Sequence, residues 1–202
     1  MGLRISWVAV QGVTAEQALE ALDMHVTGTV TYEDIDWRDN FALGSLPNGW
    51  LLALSGDSAD AFEGRLEPLT KLGRAVGGEM SETVMRSEAR GYDQGTEVWS
   101  VTHDPEEEES LYALEITGSP PPELDAIVHA LRAEQDAQGG EDAAVDLMFG
   151  IPGRLSAALC GYMPDENELD DIDVSELRPN RGAKPAAGQA KAGFFARLFG
   201  RT

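Results

Sequence analysis

His103 and Asp104 are the one neighbouring pair in this chain whose residue types invite a catalytic reading, an imidazole that takes a proton while a carboxylate steers it. Alternation along the strand that ends there puts His103 on one face with Trp99 and Val101. No nucleophile motif accompanies the pair: there is no Gly-x-Ser-x-Gly and no phosphate-cradling glycine loop. Cys160 stands in an Ala-Leu helix, where it reads as a small buried hydrophobe. His25 and His129 have no His or Cys at metal-ligand spacing. The competing reading of His103 is a strand-end histidine bonded to backbone or water, and it is the plainer of the two.

A second constellation is carboxylate. Asp165, Asn167, Asp171, Asp173 and Glu176 fall at positions one, three, seven, nine and twelve of a calcium loop, but Leu169 takes a ligand position and Asp170 takes the place of the glycine that the sharp turn requires. The run therefore reads as a solvated acidic segment. The same holds for Asp104 and Glu106 to Glu109, an exposed loop that could attract a basic partner. No metal and no cofactor are expected.

The third constellation is the C-terminus. Residues 178–202 carry six Lys or Arg and no acid, whereas residues 1–177 hold nine Lys or Arg and all 36 Asp and Glu, a net −27. Phe194, Phe195, Leu198 and Phe199 surround Arg197, with Arg201 four residues further on. As a short helix this run has an apolar side suited to a lipid interface and two arginines for lipid phosphates. The same face suits a hydrophobic groove on a partner, with Phe194 and Leu198 as anchors four apart. It also suits docking back on the acidic body, as a masking peptide or simply as a structural helix.

These residues need a scaffold, and the bulk numbers bound it. With 202 residues and 42% hydrophobic content, one ordinary domain plus appendages is the expectation. The acidic body argues against binding nucleic acid, which needs Lys and Arg to displace counterions; it suits a basic protein partner, although acidity also serves solubility alone. A single cysteine excludes an internal disulfide, and there is neither a signal-peptide pattern nor a run long enough to span a bilayer, so a cytoplasmic protein is expected, membrane-associated at most through its tail.

Along the chain, residues 3–10 alternate as a strand burying Leu3, Ile5 and Trp7, and Thr14 with Gln17 forms a capping box for a helix to about Asp23. Residues 25–40 lack a clear period and read as an exposed excursion. Pro47-Asn48-Gly49 joins strands 41–46 and 50–55 in a hairpin whose second strand is apolar on both faces. A two-turn helix follows from about Arg65, then strands 75–80, 83–90, 96–103 and 111–117. Prolines 120–122 open a helix striped by Leu124, Ile127, Val128 and Leu131 and stopped at Gly139-Gly140. Short helices are expected over 141–149 and from Pro152 to about Gly161.

The order predicts an α+β fold: a mainly antiparallel sheet, ferredoxin-like βαββαβ over residues 3–80, with helices packed on it and a flexible C-terminal tail. It divides the chain into a domain at 1–162, an acidic segment at 163–178 whose residues 165–176 are expected to be poorly ordered, a flexible linker at 179–192 and the basic-aromatic tail at 193–202. The expected function is a non-enzymatic acidic interaction module, an inhibitor or immunity-type protein covering a basic partner, with the tail as a docking peptide. A membrane-tethered adaptor and a hydrolase or transferase using His103 and Asp104 are the alternatives.

Overall fold

A computed structural model describes residues 2–32, 35, 41–56, 61–164 and 173–180. The linker from 181 and the tail, with Phe194, Phe195, Arg197, Leu198, Phe199 and Arg201, lie outside the described residues, as do 165–172 of the acidic run.

In chain order the elements are β1 (Arg4–Gln11), α1 (Ala15–Leu22), β2 (Met24–Thr31), β3 (Phe41–Ser45), β4 (Trp50–Ser55), helical turns Ala61–Leu66 and Glu67–Leu72, and β5 (Arg74–Ser81). There follow β6 (Arg86–Asp93), β7 (Thr96–His103), α2 (Pro105–Glu108), β8 (Glu115–Gly118), α3 (Glu123–Ala137), α4 (Ile151–Cys160) and β9 (Asp173–Pro179). Among the described residues, the nine strands form one antiparallel sheet in the order β2-β9-β3-β4-β1-β5-β6-β7-β8. Its centre, β3-β4-β1-β5, is the ferredoxin-like strand order expected from the sequence, and the α+β architecture is as predicted.

Helical elements cover both faces. On one face Trp7, Leu52, Leu54, Val76, Met80 and Trp99 pack under Leu124 and Leu131 of α3 and Ile151, Leu155 and Cys160 of α4. Trp7 is fully buried, its ring edge-on to Tyr162 at 6.0 Å and its Nε1 donating to Ser156 Oγ at 2.9 Å. On the other face Val8, Val10, Leu43, Leu51, Ala53 and Ala75 pack under Ala18 and Leu22 of α1 and Leu66 and Leu69 of the turns after β4. The capping box of α1 is formed in both directions, Gln17 N to Thr14 Oγ1 at 3.3 Å and Thr14 N to Gln17 Oε1 at 2.9 Å. Pro68 stands where the segment after β4 changes from one helical turn type to another, in keeping with its missing N–H.

Four expectations need correction. Residues 25–31 of the exposed excursion lie in the edge strand β2, its largely exposed side chains hiding the pairing from a hydropathy reading. Residues 173–176 of the acidic segment are not poorly ordered but lie in β9, between β2 and β3, because Val174 and Leu177 are fully buried while Asp173 stays exposed. The stretch 141–149 forms no continuous helix; it holds single 3-10 turns at Gly140–Asp142 and Met148–Gly150 with irregular, bent chain between. The strand expected over 111–117 is confined to Glu115–Gly118, with Ala113 buried ahead of it.

Close packing of β6 on β7 depends on Gly91. A Cβ there would fall 2.0 Å from Trp99 Nε1 and 2.2 Å from its Cε2, so the indole occupies the space that a side chain would need. Gly91→Ala is expected to displace Trp99 and to cost about 1–3 kcal/mol, as overpacked cores do, read as a lower urea midpoint with an unchanged m value.

Candidate functional site

Among the described residues, the sheet face that carries α1 is covered from Met24 of β2 and Leu177 of β9 across to the near end of β6. Beyond that cover the side chains of β5 to β8 form a polar lattice. Cross-strand pairing lines up Ser6, Glu79, Glu88, Thr102 and Glu115 in one row, and Gly77, Arg90, Ser100 and Thr117 in the next. The cause is the period of two in β6, where Arg86, Glu88, Arg90 and Tyr92 face this side while Ser87 and Ala89 face the α3–α4 side.

Glu88, nearly buried, is the centre of the lattice. Its carboxylate accepts from Arg86 Nη2 at 2.7 Å and, on its other oxygen, from Arg90 Nε. Arg86 also donates to Glu79 and has Asp104 at 3.5 Å, and Arg90 has Glu97 at 3.8 Å. Burial works against the charge of Arg86, but Glu88, Glu79 and Asp104 outweigh it and hold its pKa above the ordinary arginine value. The pKa of Arg90 is raised in the same way, chiefly by its hydrogen bond to Glu88 against the cost of burial. Burial pushes Tyr92 up to about 12, with Glu97 and Glu88 adding to it and Arg90 opposing. Further out, Ser100 and Thr117 pair through their hydroxyls at 2.8 Å. The result is a surface whose charged side chains hold one another in place.

His103 and Asp104 do not meet. As consecutive strand-end residues they face opposite ways, and Asp104 joins Arg86 in the lattice. His103 is fully buried on the α3–α4 side, with Nδ1 at 2.7 Å from Ala113 O and Nε2 at 2.8 Å from Asp146 Oδ2. Because the carbonyl can only accept, Nδ1 carries a hydrogen, and the Nε2–Oδ2 line shares another. Asp146 Oδ1 accepts from Phe149 N at 3.2 Å, and Ser87 Oγ donates to Phe149 O at 2.7 Å, so the network clamps the 143–150 loop to the ends of β6 and β7. Sequence reasoning missed Asp146, for which no local signal exists. The Arg-x-Glu-x-Arg stripe of β6 was readable as one polar strand face.

The remaining candidates are dispersed. His25 pairs with Asn180 Oδ1 at 3.0 Å on the edge of the sheet, and His129 is exposed on α3. Cys160 is fully buried beside Ser156, and burial pushes its thiol up, which keeps it protonated and unreactive. Tyr112, hydrogen-bonded to Asp136, is raised to about 12. Among the described residues no three His, Cys, Asp or Glu are grouped to hold a metal, and no helix is long and apolar enough to cross a membrane. No family model, curated protein or solved structure matches this chain.

Proposed function

We propose that this protein is a non-enzymatic binding module, inhibitor-like or immunity-like, whose acidic body covers a basic protein partner while the C-terminal basic-aromatic peptide makes a second contact. The observation that carries this reading is the net −27 of residues 1–177 on a body that presents a broad, self-braced polar sheet face. Such a surface suits electrostatic steering and a protein interface, because its side chains need little ordering on contact. The hydrolase or transferase reading needs an accessible imidazole with a carboxylate to steer it, and His103 is enclosed and turned away from Asp104.

The test has two stages. Proteins cross-linked to the full chain in cells are identified, and each is purified and titrated against the wild type and a Glu97→Lys, Glu115→Lys variant on the exposed rim of the lattice. A basic partner is expected whose association slows about tenfold or more with charge reversal and with added salt. Partners that are not basic, or association indifferent to both changes, would overturn the reading. The contact made by the tail is checked by flotation: binding of the intact chain to anionic vesicles, lost with Phe194→Asp and Leu198→Asp, assigns that second contact to a membrane rather than to protein.

A further inference from the structure

A shallow trough of about 320 Å³ runs between α3 and α4, lined by Ala126, Ile127, Ala130, Leu131, Glu134 and Arg154. Its shape follows from the sequence of α3. Ala126 and Ala130, four apart, are too short to fill the outer surface, and the edges of Ile127 and Leu131 show between them. We propose that this trough is the resting place of the chain's own C-terminal segment, residues 193–201, seated by Phe194 and Leu198.

Three observations favour this occupant over another. The first is charge: residues 119–164, which build the trough and its surroundings, hold seven Asp or Glu against Arg132 and Arg154, whereas residues 178–202 hold six Lys or Arg and no acid. Arg197 and Arg201 would sit on the same side of a helix as one another and could reach Glu134 and the acids around it. The second is spacing, since an i, i+4 pair of large apolar residues matches the i, i+4 pair of alanines across a helix–helix contact. The third is reach. The pairing of Leu177 through Phe41, Ser55, Ser6 and Glu79 to Glu88 shows that Pro179 leaves the sheet at the same end as Ser87, which holds the chain just before α4 through Phe149 O. β9 and β6 are five strand spacings apart in the sheet order, about 24 Å. Residues 181–192 span up to about 40 Å when extended, which is sufficient.

The inference is independent of the body's partner and is tested in the full chain by disulfide trapping. Gly193→Cys is combined with Ala130→Cys in the trough or, as a control, with Thr29→Cys on β2; both body positions are exposed, and buried Cys160 does not compete. Thr29 lies about 17 Å along β2 from the exit point at Pro179, nearer than the trough, so tethering alone favours the control. The trough pair is expected to close at least about tenfold faster than the control, at a rate independent of protein concentration, and to lose that advantage with Phe194→Asp and Leu198→Asp. Equal rates for the two pairs would overturn the proposal. A rate proportional to concentration would also overturn it, by making the occupant the tail of a second copy.

Discussion

Replacing His103 with alanine is expected to destabilise the protein by about 3–5 kcal/mol, the cost of breaking a buried pair from one side. The wild-type imidazole has both ring nitrogens engaged and is fully buried, and the Asp146 side chain is only 6% exposed. Truncation leaves Asp146 Oδ2 and Ala113 O facing a cavity with no donor, while Asp146 Oδ1 keeps Phe149 N. Three comparisons separate this from simple loss of bulk. Asp146→Ala should cost a similar amount, since it strands the imidazole and frees Phe149 N from its acceptor. Asp146→Asn should recover most of the stability: its oxygen can still accept from Phe149 N, and its amide N–H can donate to Nε2 of the neutral ring while Nδ1–H keeps Ala113 O. The double alanine variant should cost less than the sum of its parts by about 1–3 kcal/mol. Strict additivity in urea titrations would mean that the pair contributes no coupling and that the 143–150 loop is held by packing alone.

The same residues show how far the sequence could be read. Elements with local signals were legible: the Thr14–Gln17 cap, the Asn48-Gly49 hairpin, the strand at 50–55 that is apolar on both faces as far as Leu54, the bounds of 96–103 and the stripe of α3. What was not legible is non-local. β2 pairs with β9 across almost 150 residues, and neither strand shows it alone, because one has exposed side chains and the other draws only two buried residues from an acidic run. A composition argument averages over such a run, whereas the sheet uses only Val174 and Leu177. His103 illustrates the difference within one site. Its adjacency to Asp104 suggested a pair, yet the period of two in a strand sends neighbours to opposite faces, an argument already available from sequence. The true partner, Asp146, lies 43 residues away and enters only when α3 and α4 fold over the sheet.

Removing the carboxylate of Glu88 by Glu88→Ala is expected to cost about 3 kcal/mol or more, because it leaves two guanidiniums, four residues apart on one face of β6, without the acid that lies between them. Arg86 keeps Glu79 and Asp104, and Arg90 keeps Glu97 at the longer distance of 3.8 Å, so the loss is partial rather than a collapse of the lattice. The informative comparison is with Glu97→Ala. The Glu97 side chain is 40% exposed against 5% for Glu88, and an exposed pair at that distance contributes less than about 1 kcal/mol. A steep fall in cost from Glu88 to Glu97 would show that the centre of the face is held dry by its own side chains and that only the rim is solvent-screened. Equal small costs would show that water enters the lattice throughout, and the face would then have to be ordered by whatever binds it. The two outcomes bear directly on the proposed interface. A self-braced face presents its carboxylates in fixed positions to a basic partner, so rim charges would govern the rate of encounter, and Glu88 would act by holding Arg86 and Arg90 in place without touching the partner.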